Sequence, residues 1–402
     1  MPHGDADNGV TTPRSTFYDQ GRFGRLFPTL PPFASDTPLV RAALTELGQP
    51  GGLMDADDDL SDPIALITDP SLSANNPDNP RLSAGMTFLG QFLDHDMTFD
   101  PTSSLARAQD PESIRNFRIP ALDLDSLYGG GPGVSPQLYD RNVDGGRTTL
   151  LIETNPGSEA VTIDGQIRSD VPRNSQATAL IGDRRNDENL IVSQLHLALA
   201  RFHNHVVGDV RNDLGPLATT GELFGEAQRV VRWHYQWMIL HEFLPLTCGD
   251  DVVESILTEG RQFYDWHNDP FIPVEFSVAA YRFGHSQVRP SYRANFGTST
   301  TDPAQQFFAL IFNPAVSGTD PADLRGGCRA PRRFIDWQTF FDFADGRVRR
   351  NKRIDTRLSS VLFHLLGQAT NEPDTLATRN LIRNLTMKVP SGQRVAKAVN
   401  ET

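Results

Sequence analysis

Apolar positions recur at helical spacing in several blocks, separated by long stretches without a period. Ile191, Leu195, Leu199, Phe202, Val206 and Val210 are 4, 4, 3, 4 and 4 apart, the stripe of a long helix that buries one side. Met86, Leu89 and Leu93 repeat at three and four and predict an amphipathic helix over 82–95, ended by Phe99-Asp100-Pro101. The pattern predicts another helix over about 223–244, stopped by Pro245, and one from 274 to about 288 carrying Phe276, Ala279, Ala280, Phe283 and Ser286. A short helix fits 38–47, where Pro38 is tolerated in the first turn. Further helices fit 336–343, 357–366 and 374–386.

The stretches between these blocks are rich in breakers. Residues 1–80 hold Pro28, Pro31, Pro32, Pro38 and Pro50 among many Gly, Asn and Asp, which predicts an N-terminal arm with loops. The catalytic body is then expected over 81–402. Residues 101–176 read as loop, with turns at Gly129-Gly130-Gly131-Pro132 and Asp144-Gly145-Gly146 and a short strand at 148–153. No repeat, low-complexity tract or long linker divides the helical blocks, so one mostly α domain is expected.

Composition narrows the function classes. A net charge of −13 and a pI near 5.2 exclude a surface built to neutralise phosphates, and with it nucleic-acid binding. No apolar run approaches the roughly 20 residues of a membrane span. The opening Met1-Pro2-His3-Gly4-Asp5 has neither the basic nor the apolar part of an export signal, so a cytoplasmic protein is the default expectation, with export by another route still open. Cys248 and Cys328 are too few for a disulfide scaffold; one bridge between them is open, and two free thiols is the blander reading.

Four constellations carry candidate chemistry. In Gly90-Gln91-Phe92-Leu93-Asp94-His95-Asp96, helical geometry lets Gln91, Asp94 and His95 address one cavity while Asp96 turns away by about 100°; a solvated helix end is the alternative. Gly182-Asp183-Arg184-Arg185-Asn186-Asp187-Glu188 precedes the long helix, where Asp183 suits an N-cap. Leu195-His196 and Arg201-Phe202-His203-Asn204 follow it, their His residues fitting either core or site. Arg282-Phe283-Gly284-His285-Ser286 places a Gly before a His in an apolar helix, at a cost of about 1 kcal/mol relative to Ala; close approach of a flat ligand would be one reason, and a satisfied core His is the alternative. Asp123-Leu124-Asp125-Ser126-Leu127-Tyr128-Gly129 offers alternating carboxylates, a pattern open to calcium.

In order and combination these motifs resemble the animal-type haem peroxidases of the peroxidase-cyclooxygenase superfamily. The resemblance runs from about Leu82 to Val395, and Gly21-Arg22-Phe23-Gly24-Arg25-Leu26-Phe27-Pro28 resembles the opening of short bacterial members. It implies a single-domain fold with haem b between a distal and a proximal helix. By the same resemblance His95 is the distal acid/base, Gln91 orients distal water or halide, and Arg185 stabilises developing negative charge. His285 is the proximal iron ligand, Asn380 the partner of its second ring nitrogen, and Arg282 faces a haem propionate. Asp94 and Glu188 match the carboxylates that form ester links to haem in mammalian members. The Met that gives those members a third, sulfonium link is replaced by Asn189. A calcium ion is implied at Asp96, Asp123 and Asp125 with carbonyls of Ile119 and Ala121.

The expected activity is reduction of hydrogen peroxide with oxidation of small donors: halide, thiocyanate, phenolic or other aromatic molecules. Two other readings compete. A fatty-acid dioxygenase-like oxygenase of the same fold needs a Tyr three residues before the proximal His, where this chain has Arg282; Tyr281 is one residue off and on a different helix face. A non-catalytic haem- or calcium-binding protein is the third reading.

Overall fold

The computed structural model describes residues 21–100, 105–106, 108–118, 120–264, 270–367 and 372–400. Five helices frame it: α1 (Pro38–Gly48), α2 (Ala84–Met97), α3 (Leu190–Leu214), α4 (Thr220–Met238) and α5 (Leu376–Thr386). α3 is the apolar stripe read from the sequence, and it packs between α2 and α4. Its first turn is capped by Asn189, whose side chain accepts from the Val192 amide at 3.0 Å. Thr219 and Glu222 form a reciprocal capping box at the start of α4. The main core joins Phe88 and Phe92 of α2, Val192 of α3, Val231 and Tyr235 of α4, and Phe363.

β-structure is sparse and local. β1 (Gly21–Gly24) lies between β2 (Arg115–Asn116), antiparallel with Gly21 opposite Asn116, and β5 (Ile272–Pro273), parallel with Phe23 opposite Ile272. β3 (Glu153–Asn155) pairs with β4 (Arg168–Asp170), and β6 (Ser291–Asn295) with β7 (Phe307–Leu310). The strand predicted at 148–153 is displaced: pairing starts at Glu153, while Leu150 makes only an isolated bridge to Tyr139. The buried carboxylate of Glu275 accepts from the amides of Leu26 and Phe27 at 3.0 and 3.1 Å. That contact ties the start of the described chain to the segment bearing His285.

Four helix expectations need correction. The helix predicted over 223–244 does not stop at Pro245; the backbone widens into a π-turn over Ile239–Phe243 and continues through Leu244–Cys248. A wider turn relieves the clash between the proline ring and the preceding turn, and it needs no amide at Pro245. The segment 274–288 is not a regular α-helix: a π-turn over Glu275–Ala279 meets a tight 3₁₀ stretch over Ala280–His285, with Ala279 at φ −124°, ψ −76° between them. Residues 336–343 and 357–366 hold only single 3₁₀ turns, Trp337–Thr339 and Ser360–Phe363. Phe340, Leu358, Val361, Leu362 and Phe363 are buried from irregular backbone while Phe343 is exposed, and Leu358 bridges Asp55.

Cys248 and Cys328 are unbridged thiols. Among the described residues no helix is long and apolar enough to cross a membrane.

His196 and His203 on α3 are buried, and burial holds both neutral, with pKa values near 4. Unfolding exposes them to water, where they take up protons below about pH 6.5. Their contribution is therefore complete above that pH and lost as pH falls toward 4. Thermal melts should show a steep fall in Tm between pH 6.5 and 4, flattened by His203→Phe, since His203 packs edge-on against Tyr128 and Phe224. An identical slope in that variant would exclude His203 as a source.

Candidate active site

α2 brings three of the candidate groups to one place. His95, near its C-terminal end, is 4% exposed, and its Nδ1 lies 2.8 Å from Oδ1 of Asn186. With Nδ1–H donating to that oxygen, Nε2 keeps its lone pair. The amide nitrogen of Asn186 in turn meets Nδ1 of His196 at 3.2 Å, so the fully buried Asn186 is fixed from both sides. Burial, with the Arg185 charge, holds His95 below the usual imidazole value of 6.5 and so neutral.

Arg185 is anchored as firmly. Its Nε donates to Asp183 at 3.1 Å, and its Nη2 to Asp183 at 2.8 Å and to the carbonyls of His95 and Thr98 at 3.0 and 2.6 Å. Its guanidinium stands 4.8 Å from the centre of the Phe99 ring. Burial acts to raise Asp183, but hydrogen bonding from Arg185 and the charges of Arg185 and Arg118 outweigh it and hold this carboxyl well below its ordinary range. Arg118 sits beneath it, 2.5 Å from Asp183 and 3.4 Å from Asp125.

The other histidine comes from the 3₁₀ stretch. Nδ1 of His285 is 2.8 Å from Nδ2 of Asn380 on α5, the partner expected from the sequence; with that amide turned so that Oδ1 accepts from Nδ1–H, Nε2 keeps its lone pair. One turn on, the Asn384 side-chain amide donates to the backbone carbonyl of Asn380 at 2.8 Å. Burial, then the Arg282 charge, drives the His285 pKa down to about 3.

Gln91, Asp94, His95, Arg185, Glu188, Arg282, His285 and Asn380 all line one cavity of about 780 Å³, within the range of cofactor pockets. Arg379 and Arg383 line it as well. A flat, dianionic macrocycle fits these walls. Two neutral histidines offer Nε2, several guanidiniums suit carboxylates, and a Cβ on Gly284 would meet nothing within 4 Å. Tyr281, expected on another face, also lines the cavity; its hydroxyl donates to the Gly90 carbonyl at 2.9 Å and so ties the 3₁₀ stretch to α2.

Asp96, Asp123 and Asp125 form a separate buried cluster whose candidate ligand oxygens lie within 4.8 Å of one another. Asp96 accepts from the Leu124 and Ser126 amides at 3.1 and 3.2 Å and from the Ser126 hydroxyl at 2.9 Å. Both side-chain oxygens of Asp125 are buried without a hydrogen-bond donor. Burial, and the neighbouring Asp123 carboxylate, push Asp96 up to about 6. A divalent cation suits such a donor set. The Ala121 carbonyl is near the Gln236 amide at 3.4 Å, while Ile119 lies outside the described residues.

Sequence reading missed Asn186, Arg118 and the second-layer part of Asp183. Asn186 adjoins Arg185, but its contact with His95 spans 91 positions, and no local pattern records it.

The sequence model described as "Animal haem peroxidase" matches residues 111–337. The chain belongs to that family. The match includes Arg185, Glu188 and His285, while α2 with His95 precedes it and Asn380 follows it. Curated relatives in this haem-binding family include chorion peroxidase of Drosophila melanogaster, 27% identical over 246 residues that cover 60% of this chain and 29% of that protein. Mouse thyroid peroxidase is 25% identical over 242 residues, covering 53% and 24%. A peroxidase-like protein of Margaritifera margaritifera is 28% identical over 322 residues, covering 68% and 38%. The chain thus spans well under half the length of these relatives. Among solved structures, peroxidase A of Dictyostelium discoideum aligns with a TM-score of 0.56 at 17% identity, over 94% of this chain and 73% of that one. The fatty acid alpha-dioxygenase of Arabidopsis thaliana aligns at 0.53 and 12%, over 90% and 59%. Both likenesses concern the fold, and the mostly α reading agrees with them.

Proposed function

We propose that this animal haem peroxidase family member consumes hydrogen peroxide and oxidises small donors. The observation that carries the reading is one cavity lined by two neutral histidines, each held through Nδ1 by an asparagine amide, with the anchored Arg185 beside one of them. His285 would hold the haem iron through Nε2, and Arg282 would face a propionate. Haem, when bound, supplies the redox chemistry. Nε2 of His95 takes one proton from peroxide and returns it to the departing oxygen. Arg185, always charged, stabilises the negative charge that builds up there. Gln91 supplies a polar contact for water or halide.

Absorbance of the haem-reconstituted protein, before and after peroxide, tests the reading, followed by peroxide-dependent oxidation of iodide, bromide, chloride, thiocyanate and a phenol. Absence of any peroxide-dependent spectral change would leave a binding protein.

The acidic cluster is assigned a calcium ion, held by Asp96, Asp123 and Asp125 with backbone carbonyl help. Because Asp96 adjoins His95, the ion would brace the end of α2, a structural role. Asp123→Ala should lose most bound calcium in elemental analysis. It should also abolish the stabilisation that calcium gives wild type, about 2.7 kcal/mol when the ion is at a hundred times its dissociation constant. Full calcium occupancy in this variant would remove Asp123 from the site.

Asp94 and Glu188 line the cavity and are assigned ester links to haem formed during turnover. Asn189 has no thioether sulfur for a third. Denaturing mass spectrometry after peroxide treatment should find haem mass on the polypeptide, reduced in both Asp94→Val and Glu188→Ala. Complete extraction of haem into acid butanone after turnover would end the covalent assignment.

A further inference from the structure

Asn189 stands where a sulfur ligand is absent, yet its side chain is nearly fully buried, 2% exposed, and both its polar atoms are engaged. Its Oδ1 accepts from the Val192 amide at the start of α3. A backbone N–H can only donate, so this contact fixes which end of the Asn189 amide is oxygen. The other end must then be Nδ2, and it lies 3.2 Å from Oε1 of Gln91. With Oε1 turned to Asn189, Nε2 of Gln91 falls 3.3 Å from Oε2 of Glu188. Of the two N–H groups on that nitrogen, one serves Glu188 and the second is left for the cavity that Gln91 lines.

The backbone beneath this clamp is rigid. Leu190 donates to the Leu324 carbonyl at 2.8 Å and Gly326 to the Glu188 carbonyl at 2.9 Å, so 188–190 lies strand-like against 324–326. A Cβ on Gly326 would come within 1.6 Å of the Asp187 carbonyl oxygen. Only glycine permits the approach, and the approach sets where Asn189 points.

We propose that Asn189 is a positioning residue that locks the Gln91 amide, so that the cavity receives an N–H donor and favours small anions or lone-pair oxygens as ligands beside His95. The proposal rests on the assignment of haem and Gln91 to one cavity, and it adds the group that decides which end of Gln91 is presented. Loss of Asn189 removes the contact that holds Oε1 away from the cavity and leaves only the contact to Glu188, at 3.3 Å, to oppose an amide flip that would show an oxygen to an anion.

Fluoride binding to the ferric, haem-loaded protein, followed by absorbance, is the test. The set comprises wild type, Asn189→Leu, Gln91→Leu and the double variant, with thermal melts to confirm folding. Asn189→Asp is added because aspartate still caps α3 but cannot donate to Gln91. Both Asn189 variants should weaken fluoride binding about 3- to 10-fold, the scale of one neutral hydrogen bond. In the Gln91→Leu background, Asn189→Leu should change the affinity less than twofold, since its effect passes through the missing amide. Equal affinity in wild type and Asn189→Leu, or an undiminished effect of Asn189→Leu without Gln91, overturns the proposal. Failure of wild type itself to bind fluoride would instead count against the underlying cavity assignment. Should Asn189→Leu not fold, Asn189→Asp is read in both the Gln91 and the Gln91→Leu backgrounds, so that the charge it adds cancels, and an equal effect in the two backgrounds is the contrary result.

Discussion

Replacing His95 by Ala slows the reaction of the haem-loaded protein with hydrogen peroxide by about 10²- to 10⁴-fold, the usual worth of a positioned acid/base, as stopped-flow mixing would record. The wild-type rate should also carry a signature of the imidazole's surroundings. The reactive form is neutral, and burial together with the Arg185 charge lowers the His95 pKa, so the neutral fraction persists into more acidic solution than for a free imidazole. The rate constant should therefore stay level as pH falls through 6.5 and drop only below it. Asn186→Leu removes the acceptor at Nδ1, which frees the ring to turn or exchange tautomers. An intermediate loss of rate is expected there, with His95→Ala more severe. A near-normal rate in His95→Ala would move the proton transfer to another group.

Replacing His285 by Ala should cut the haem retained after purification by about tenfold or more, or leave haem with an altered ferric spectrum, because the iron loses its protein ligand. Asn380→Leu is the finer probe. The Asn380 amide meets Nδ1 of His285 at 2.8 Å. Where its oxygen faces Nδ1–H, it makes the ring a stronger electron donor and favours ferric over ferrous iron. Without that acceptor the reduction potential should rise, by tens of millivolts on the order set by such outer contacts, while haem stays bound. Potentiometric titration reads the shift. An unchanged potential in Asn380→Leu, or a wild-type spectrum in His285→Ala, would remove these residues from the iron's surroundings.

The sequence made the regular helices legible because each buries one continuous stripe: the spacing over 191–210 marks α3, and that over 82–95 marks α2. The His285 segment was misjudged because its apolar residues satisfy an α spacing while its backbone passes from a π-turn to a 3₁₀ stretch within eleven residues, Glu275–His285. Periodicity reports which residues are buried, and turn width depends on what they pack against. The same limit applies at 336–343, where Phe340 and Phe341 meet Trp337 through ring contacts over a single turn that does not continue as a helix. At the cavity, reactive residue types stood out as motifs. The groups that orient them did not, since Asn186, Asn189 and Arg118 are common residues whose meaning comes from partners 65 to 98 positions away.

Arg118 joins the acidic cluster to the cavity wall. From Asp125 through Arg118 and Asp183 to Arg185, acidic and basic side chains alternate in one row. A calcium ion beside Asp125 would add a positive terminus to this row. Such an arrangement has the logic of a line of magnets laid pole to pole: altering the charge at one end unbalances each neighbour in turn. The Arg185 guanidinium would thus have its footing set from the acidic cluster, and a calcium-depleted protein would be expected to carry a loosened Arg185 even while His95 and its asparagine remain in place.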